Sequence, residues 1–124
     1  MTDQASQALK GLPTEQQILT NLAITDDIAH NSSIFNASRN NYITFFIKNT
    51  LNQMISVQIM ASRTNSVTDA VTVGNPFTVA ATIGVEARTK TTENDGYLPY
   101  YFIIVTAAVA PASGTVNAYA IGRN

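Results

Sequence analysis

The amino-acid sequence predicts an all-β protein, an antiparallel β-sandwich in which about eight strands form a jelly roll behind an N-terminal arm. Two observations predict this fold class. From residue 41 onward, apolar and polar residues alternate with the period of two that places every second side chain on one face of a strand. Turn-forming residues interrupt the alternation about every ten residues, which is the spacing expected of a sandwich. At 124 residues, the chain has the length of one domain with its own core.

Six runs carry the alternation, and β-branched and aromatic residues are frequent in them. The residues predicted to share a face in each run are, in chain order, Ile43, Phe45 and Ile47; Ile55, Val57 and Ile59; Val67, Val71 and Val73; Phe77, Val79, Ala81, Ile83 and Val85; Tyr101, Ile103, Val105, Ala107 and Val109; and Val116, Ala118 and Ala120. Gly74–Pro76 and Pro111–Gly114 are predicted to be turns. Two weaker runs, residues 22–28 and 32–37, bring the number of strands to about eight.

The first 22 residues are predicted to form a connector arm, and residues 23–124 the sandwich domain. Ala5, Ala8, Leu9 and Leu12 have the spacing of one helix face. A helix this short is marginal on its own, so an extended arm remains an alternative. Because the arm has too few apolar residues for a separate core, we expect either the β domain or a neighbouring subunit to bury them. The interpretation that we favour is a neighbouring subunit, with Leu9, Leu12, Ile18, Leu19 and Leu22 at the contact. Removing residues 1–20 should then leave a folded monomer that cannot polymerise.

Two strands are apolar on both faces, although a sandwich strand needs to bury only one. Phe46 and Phe102 lie on the second faces of these strands and are predicted to contact other subunits. Charged residues make up only 12% of the chain and its net charge is −1, so copies repel one another weakly. Few charges are available to protect the edges of the sheets. These features predict a protein that assembles with copies of itself.

Composition also argues against several other classes of protein. The seven basic residues are scattered singly, which disfavours nucleic-acid binding. The most apolar stretch, residues 97–112, is too short to insert across a membrane. Without cysteine, the chain has neither disulfides nor a thiolate metal site. The N-terminus lacks the basic and apolar regions of a signal peptide, so lysis is the expected route to an extracellular location.

The sequence contains no pattern of catalytic or ligand-binding residues, and it predicts no enzyme, no cofactor and no metal site. His30 is the only histidine, and it lies in a polar stretch without a nucleophile pattern. No glycine-rich phosphate loop or metal-binding motif is present. Tyr97, Tyr100 and Tyr101, beside Pro99, have two interpretations: a platform that stacks on sugars, or side chains that close one end of the core. A carbohydrate-binding or receptor-binding module is therefore the alternative function.

The C-terminal stretch, residues 96–123, resembles the closing hairpin of small β-sandwich proteins from Firmicutes and their phages. It shares their polar tip, long strand, Ala-Pro-x-Ser-Gly turn and final strand. The overall plan resembles that of endospore-appendage subunits and of phage decoration or tail-associated jelly rolls. The resemblance implies a structural subunit of an extracellular fibre or virion, a homo-oligomer or helical polymer on a spore, a cell surface or a phage, attached by an anchoring protein. Because the chain lacks cysteine, non-covalent contacts alone would hold such an assembly together.

Overall fold

The computed structural model describes residues 14–96 and 98–124 and shows nine strands in two antiparallel sheets. Leu9, Leu12, Tyr97 and the predicted helical segment lie outside the described residues. The strands are β1 (Thr14–Leu22), β2 (His30–Asn31), β3 (Phe35–Asn36), β4 (Tyr42–Asn49), β5 (Ile55–Ser62), β6 (Val71–Val79), β7 (Gly84–Thr91), β8 (Tyr100–Ala107) and β9 (Val116–Arg123). A single 3₁₀ turn, Thr92–Asp95, precedes β8.

The topology is that of a jelly roll, which confirms the predicted fold class. The first sheet has the order β1-β9-β4-β7, and the second has β2-β8-β5-β6 with β3 also paired to β8. β2 and β3 pair with successive parts of β8, so together they occupy one strand position beside it. Each sheet therefore has four strand positions, in agreement with the predicted eight strands. The chain crosses between the sheets several times, and this crossing defines the jelly roll.

The core lies between the two sheets and is built from the alternating residues of the central strands. Ile43, Phe45 and Ile47 of β4 are completely buried, and Phe45 lies against Tyr101 of β8 with ring centroids 6.3 Å apart. β5, β8 and β9 contribute the other central side chains. In these four strands, all the predicted core-facing residues are buried except Val109, which lies beyond the end of β8 and is exposed.

β1 is a strand of the sandwich, so the boundary predicted after Leu22 does not coincide with a break in the fold. It pairs with β9 of the same chain from Thr14 to Leu22, with two register shifts. Ile18 and Leu19 are buried in the core of their own chain, and Leu22 packs against it. The described part of the sandwich therefore already includes residues 14–22, which are neither a helix nor a free arm.

An asparagine on β9 explains how the irregular β1 keeps its place at the edge of the first sheet. The Oδ1 atom of Asn117 accepts hydrogen bonds from Gln17 Nε2 at 3.0 Å and from the backbone N–H of Asn21 at 2.9 Å. Its Nδ2 atom donates to Asn21 Oδ1 at 3.2 Å. Asn21 has a φ of 45°, a left-handed conformation that asparagine tolerates better than most residues.

The predicted turn at Gly74–Pro76 is instead a bulge inside β6. The register with β5 shifts between Val57 and Ile59, and Gln58 donates from Nε2 to the carbonyl of Gly74 at 3.2 Å. β6 is the edge of its sheet, where proline and a bulge are compatible with strand pairing. The turn that ends β6 lies between residues 80 and 83. As a consequence, Val85 faces outward, contrary to the prediction that it continues the buried face of Phe77 and Val79.

The edge strand β7 points its charged residues inward. Glu86, Arg88 and Lys90 lie opposite core-facing residues of β4, at the open side of the sandwich. The Arg88 guanidinium donates to Glu86 at 2.6 Å and lies 4.5 Å from the centroid of the Phe77 ring. Inward-pointing charge is one way in which proteins prevent an edge strand from pairing with another chain. The expectation that the edges lack such protection was therefore wrong for β6 and β7.

Candidate assembly surfaces

The outer face of the first sheet combines apolar and aromatic side chains from three neighbouring strands, and we call it the first outer face. It is formed by the outward residues of β4, β7 and β9, which include Tyr42, Phe46, Val85, Ala87, Tyr119 and Ile121. The pairing register places Phe46 between Ala87 and Tyr119. The rings of Phe46 and Tyr119 are 6.3 Å apart and inclined by 57°, a favourable arrangement for an aromatic pair.

Charged residues on the first outer face lie at its margins. Glu15 is on the edge strand β1, Lys48 lies near the end of β4, and Arg123 lies near the end of β9. The centre is uncharged and contains the hydrogen-bonded pair Thr44 and Thr89, whose hydroxyl oxygens are 2.9 Å apart. An apolar, aromatic centre with a charged margin is the usual composition of a protein–protein interface.

The outer face of the second sheet mixes polar and apolar side chains, and Met60 and Phe102 are paired on it. Its central residues include Ser56, Gln58, Ile104 and Thr106. Phe102 lies outside the sandwich core but is only 1% exposed. In the folded chain, it therefore presents almost no surface to a partner, unlike Phe46, which is half-buried. Phe46 and Phe102 were both predicted to contact other subunits, and only Phe46 lies on an accessible surface.

Of the remaining predicted interface residues, Ile18, Leu19 and Leu22 belong to β1, and Leu9 and Leu12 lie outside the described residues. Ile18 and Leu19 are 2% and 6% exposed, which leaves them unavailable to a neighbouring subunit while β1 is paired with β9. Tyr119 and Ile121 of β9 were not predicted as interface residues from the sequence. The signal that could have identified them is the second apolar series on β9, which the register places beside Phe46 and Thr44.

Tyr100 and Tyr101, the two tyrosines considered for sugar binding that the structure describes, do not share one platform. Tyr101 is fully buried and packs against Phe45, as expected of a residue that closes the core. Tyr100 is half-buried and faces the opposite side of β8. A separate cavity of about 230 Å³ lies nearby. It is lined by Ala37, Ser38, Arg39, Asn40, Asn41, Thr92 and Leu98.

The only histidine contacts a carboxylate. His30 Nε2 lies 2.7 Å from Asp26 Oδ1, and this hydrogen bond holds the pKa of Asp26 below its ordinary value. Within residues 14–96 and 98–124, no three histidine or carboxylate side chains come together as a metal-binding group would require. No helix in the same residues is long and apolar enough to cross a membrane. The His30–Asp26 pair fastens the loop between β1 and β2.

The fold and these surfaces define a jelly-roll β-sandwich module, and solved structures of the same shape include prophage proteins. The PBSX exported protein XepA superposes with a TM-score of 0.66 and 19% identity over 94% of this chain, which spans 38% of XepA. The SPBc2 prophage-derived protein YomS gives a TM-score of 0.55 with 9% identity over 90% of this chain and 93% of YomS. These similarities agree with the expected resemblance to phage jelly rolls.

An adhesin domain shows that the shape is not confined to phages. The K1 cleaved adhesin domain of Lys-gingipain from Porphyromonas gingivalis W83 has a TM-score of 0.50 and 13% identity, over 89% of this chain and 73% of that domain. No protein-family model matches the sequence, and no curated protein does. At these identities, the comparisons establish the fold.

Proposed function

We propose that the protein is a self-assembling structural subunit of an extracellular fibre or a virion, with no catalytic role. Its copies contact one another through the first outer face. The observation that carries the proposal is the uncharged aromatic centre of that face, where Phe46 and Tyr119 lie side by side on rigid strands. Side chains held by a sheet lose little further conformational entropy on binding, which favours association.

The similarity to proteins named as exported and prophage-derived supports a location outside the cell, on a spore or cell surface or in a phage particle. The arm contributes to assembly through the segment before Thr14, which carries Leu9 and Leu12. Residues 14–22 serve the chain's own sandwich. Protected edges at β6 and β7 favour packing between faces over the addition of strands at those edges.

The substitution Phe46→Lys tests the proposal. Phe46 points away from the core, so we expect the variant to fold with a loss of about 0.5–1.5 kcal/mol, the contribution of an aromatic pair. A charge at the centre of the contact should weaken assembly by at least about 30-fold, as expected for an interface hot spot of about 2 kcal/mol. Sedimentation velocity and negative-stain electron microscopy measure the assembly directly.

Thr78→Lys is the matched control for this substitution. Thr78 is exposed on β6 and pairs with Ser56 on the outer face of the second sheet, so the same charge is introduced on the opposite side of the sandwich. We expect this variant to assemble as the wild type does. Equal assembly of the Phe46→Lys variant and the wild type would contradict the proposal.

A carbohydrate-binding or receptor-binding module is the second candidate, and one observation favours it. The cavity beside Arg39 combines guanidinium, amide and hydroxyl groups with the apolar side chain of Leu98. Sites for small polar ligands often have this mixture of groups. A glycan array tests this function: binding that Arg39→Ala removes supports it, and an array without binding excludes it for the glycans present.

A further inference from the structure

The cavity beside Arg39 lies at the end of the sandwich where β4 and β8 begin and β9 ends. Three segments that the topology brings together form its lining, namely residues 37–41, Thr92 and Leu98. Arg39 is the one charged residue among these. Glu93 follows Thr92 in the 3₁₀ turn but does not line the cavity. Within the described part of the chain, the lining therefore carries one positive charge and no carboxylate.

Hydrogen bonds hold the segment between β3 and β4, which forms most of this lining, against both sheets. The backbone N–H of Ala37 donates to the Pro99 carbonyl at 2.7 Å, next to β8 of the second sheet. The N–H of Asn41 donates to the Arg123 carbonyl at 2.7 Å, on β9 of the first sheet. The buried Thr92 donates from its own N–H to the Asn41 carbonyl at 2.9 Å. Because the wall is anchored in this way, a ligand would not have to order it on binding.

The polar side chains of the same segment are not used by the fold. Four neighbouring residues line the cavity without a side-chain hydrogen bond or ion pair to any residue of 14–96 or 98–124, namely Ser38, Arg39, Asn40 and Asn41. Asn49, by contrast, uses its amide within the chain and donates to the Ala80 carbonyl at 3.0 Å. A Cβ atom at position 122 would clash with Asn40 Oδ1, so Gly122 leaves room for the Asn40 amide. Polar groups that the fold does not use, on an anchored wall, are available to a ligand.

The charge of the lining indicates a ligand with one carboxylate. A guanidinium presents its N–H groups in a planar fork that matches the two oxygens of a carboxylate. Phosphate groups also bind arginine, but phosphate-recognising sites usually combine several basic residues. Since Arg39 is alone in this lining, a singly charged carboxylate fits the site better than a phosphate does.

The uncharged part of the lining suits the hydroxyl groups and C–H bonds of a sugar ring. Asparagine amides and serine hydroxyls both donate and accept hydrogen bonds, as hydroxyl groups require. Ala37 and Leu98 provide the apolar contact, and no aromatic side chain of the described residues lines the cavity. Its volume of about 230 Å³ is smaller than the roughly 300–1,000 Å³ of sites for drug-sized ligands. The cavity therefore has room for one small ring, held by charge and hydrogen bonds instead of aromatic stacking.

From these features, we propose that the cavity binds a single acidic sugar unit. Its carboxylate pairs with Arg39, and its hydroxyl groups bind the amides of Asn40 and Asn41. The inference rests on the second candidate function, because it names the ligand class of the same cavity. It does not depend on self-assembly, since the lining shares no residue with the first outer face.

Saturation-transfer NMR, with each ligand titrated at constant ionic strength, tests the ligand class. Glucuronate and galacturonate are compared with glucose and galactose, which have the same rings without the carboxylate. Acetate and inorganic phosphate provide an anion without a ring. We expect at least one acidic sugar to bind about tenfold or more tightly than its neutral counterpart and than both simple anions, as a hydrogen-bonded charge would give.

Substitutions of Arg39 provide the second readout. Arg39→Ala should lower the affinity for the acidic sugar to that for its neutral counterpart. Arg39→Lys should recover only part of the difference, because lysine keeps the charge but loses the fork. Arg39 is exposed, so we expect both variants to be folded, which circular dichroism checks. Equal binding of the acidic sugar by the wild type and Arg39→Ala would overturn the proposal.

Arg63→Ala is the matched control. Arg63 is an exposed arginine just after β5, at the same end of the sandwich, and it does not line the cavity. We expect this variant to bind the acidic sugar as the wild type does. An equal loss of binding in Arg63→Ala and Arg39→Ala would show a general effect of positive charge and would overturn the assignment to the cavity.

The remaining outcomes separate this inference from the proposed functions. Equal affinity for acidic and neutral sugars would overturn the acidic ligand and leave the carbohydrate-binding module standing. If acetate or phosphate binds as tightly as the acidic sugars, or if no sugar binds, both are wrong. Self-assembly is tested independently by sedimentation of the Phe46→Lys variant, which keeps every lining residue of the cavity.

Discussion

Of two N-terminal truncations with different end points, only the longer one should destabilise the fold. Removing residues 1–20 deletes most of β1, including Ile18 and Leu19, which are 2% and 6% exposed. Burial of an aliphatic side chain contributes about 1.5–3 kcal/mol, so the loss of these two amounts to about 3–6 kcal/mol. Because whole domains are stable by only about 5–15 kcal/mol, this truncation should leave the protein marginally folded or unfolded. Removing residues 1–12 deletes none of the pairing between β1 and β9.

Urea denaturation, monitored by circular dichroism, distinguishes a truncated chain that keeps its stability from one that loses it. We expect the shorter truncation to keep the midpoint of the full chain, and the longer one to lower it sharply or show no cooperative transition. Sedimentation of the shorter truncation then reports what Leu9 and Leu12 contribute to assembly, without the effect of losing β1. A folded 1–20 truncation with an unchanged midpoint would refute the assignment of β1 to the chain's own sandwich.

Three further predictions concern single side chains. Tyr101→Ala should lower the free energy of unfolding by about 3–5 kcal/mol because it leaves a cavity in the core, whereas Tyr100→Ala should cost much less; urea denaturation measures both. Folding lowers the pKa of Asp26, so the Asp26 carboxylate stabilises the fold above its ordinary pKa, and this stabilisation is lost as the pH falls through the lowered pKa. Asp26→Asn should therefore remove this part of the pH dependence of stability, which unfolding measured over a range of acidic pH checks. Gly114→Ala should destabilise the fold by about 1–3 kcal/mol in thermal unfolding, because a left-handed residue there faces the Thr50 carbonyl, and a wild-type melting temperature would contradict that reasoning.

The central strands could be predicted because their alternation continues without interruption. Ile43, Phe45 and Ile47 are separated by single residues that all face outward, so a period of two identifies both the strand and its buried face. The same holds for β5, β8 and β9. A strand paired on both sides can bury its apolar face only against the opposite sheet.

The edge strands could not be predicted in the same way, because their irregularities remove the alternation. In β1, the adjacent Ile18 and Leu19 are both buried, since a register shift turns them to the same side. In β6, Gly74–Pro76 has the composition of a turn, and only its position beside β5 makes it a bulge. In β7, charged residues occupy the inward face because this face lies at the open side of the sandwich.

The first outer face could be predicted in part. The two adjacent phenylalanines, Phe45 and Phe46, require that one of them point away from the core, and this indicates an exposed aromatic residue. Its partner Tyr119 follows only from the register between β4 and β9. Phe46 and Tyr119 are 73 residues apart in the sequence but adjacent in the sheet.

Sedimentation velocity of the purified full chain over a wide range of concentrations, with electron microscopy of the same samples, tests the central claim most directly. Self-assembly through the first outer face predicts species larger than the monomer that grow with concentration and show a regular repeat in the images. A chain that sediments as a monomer at every concentration and shows no ordered particles would contradict the account.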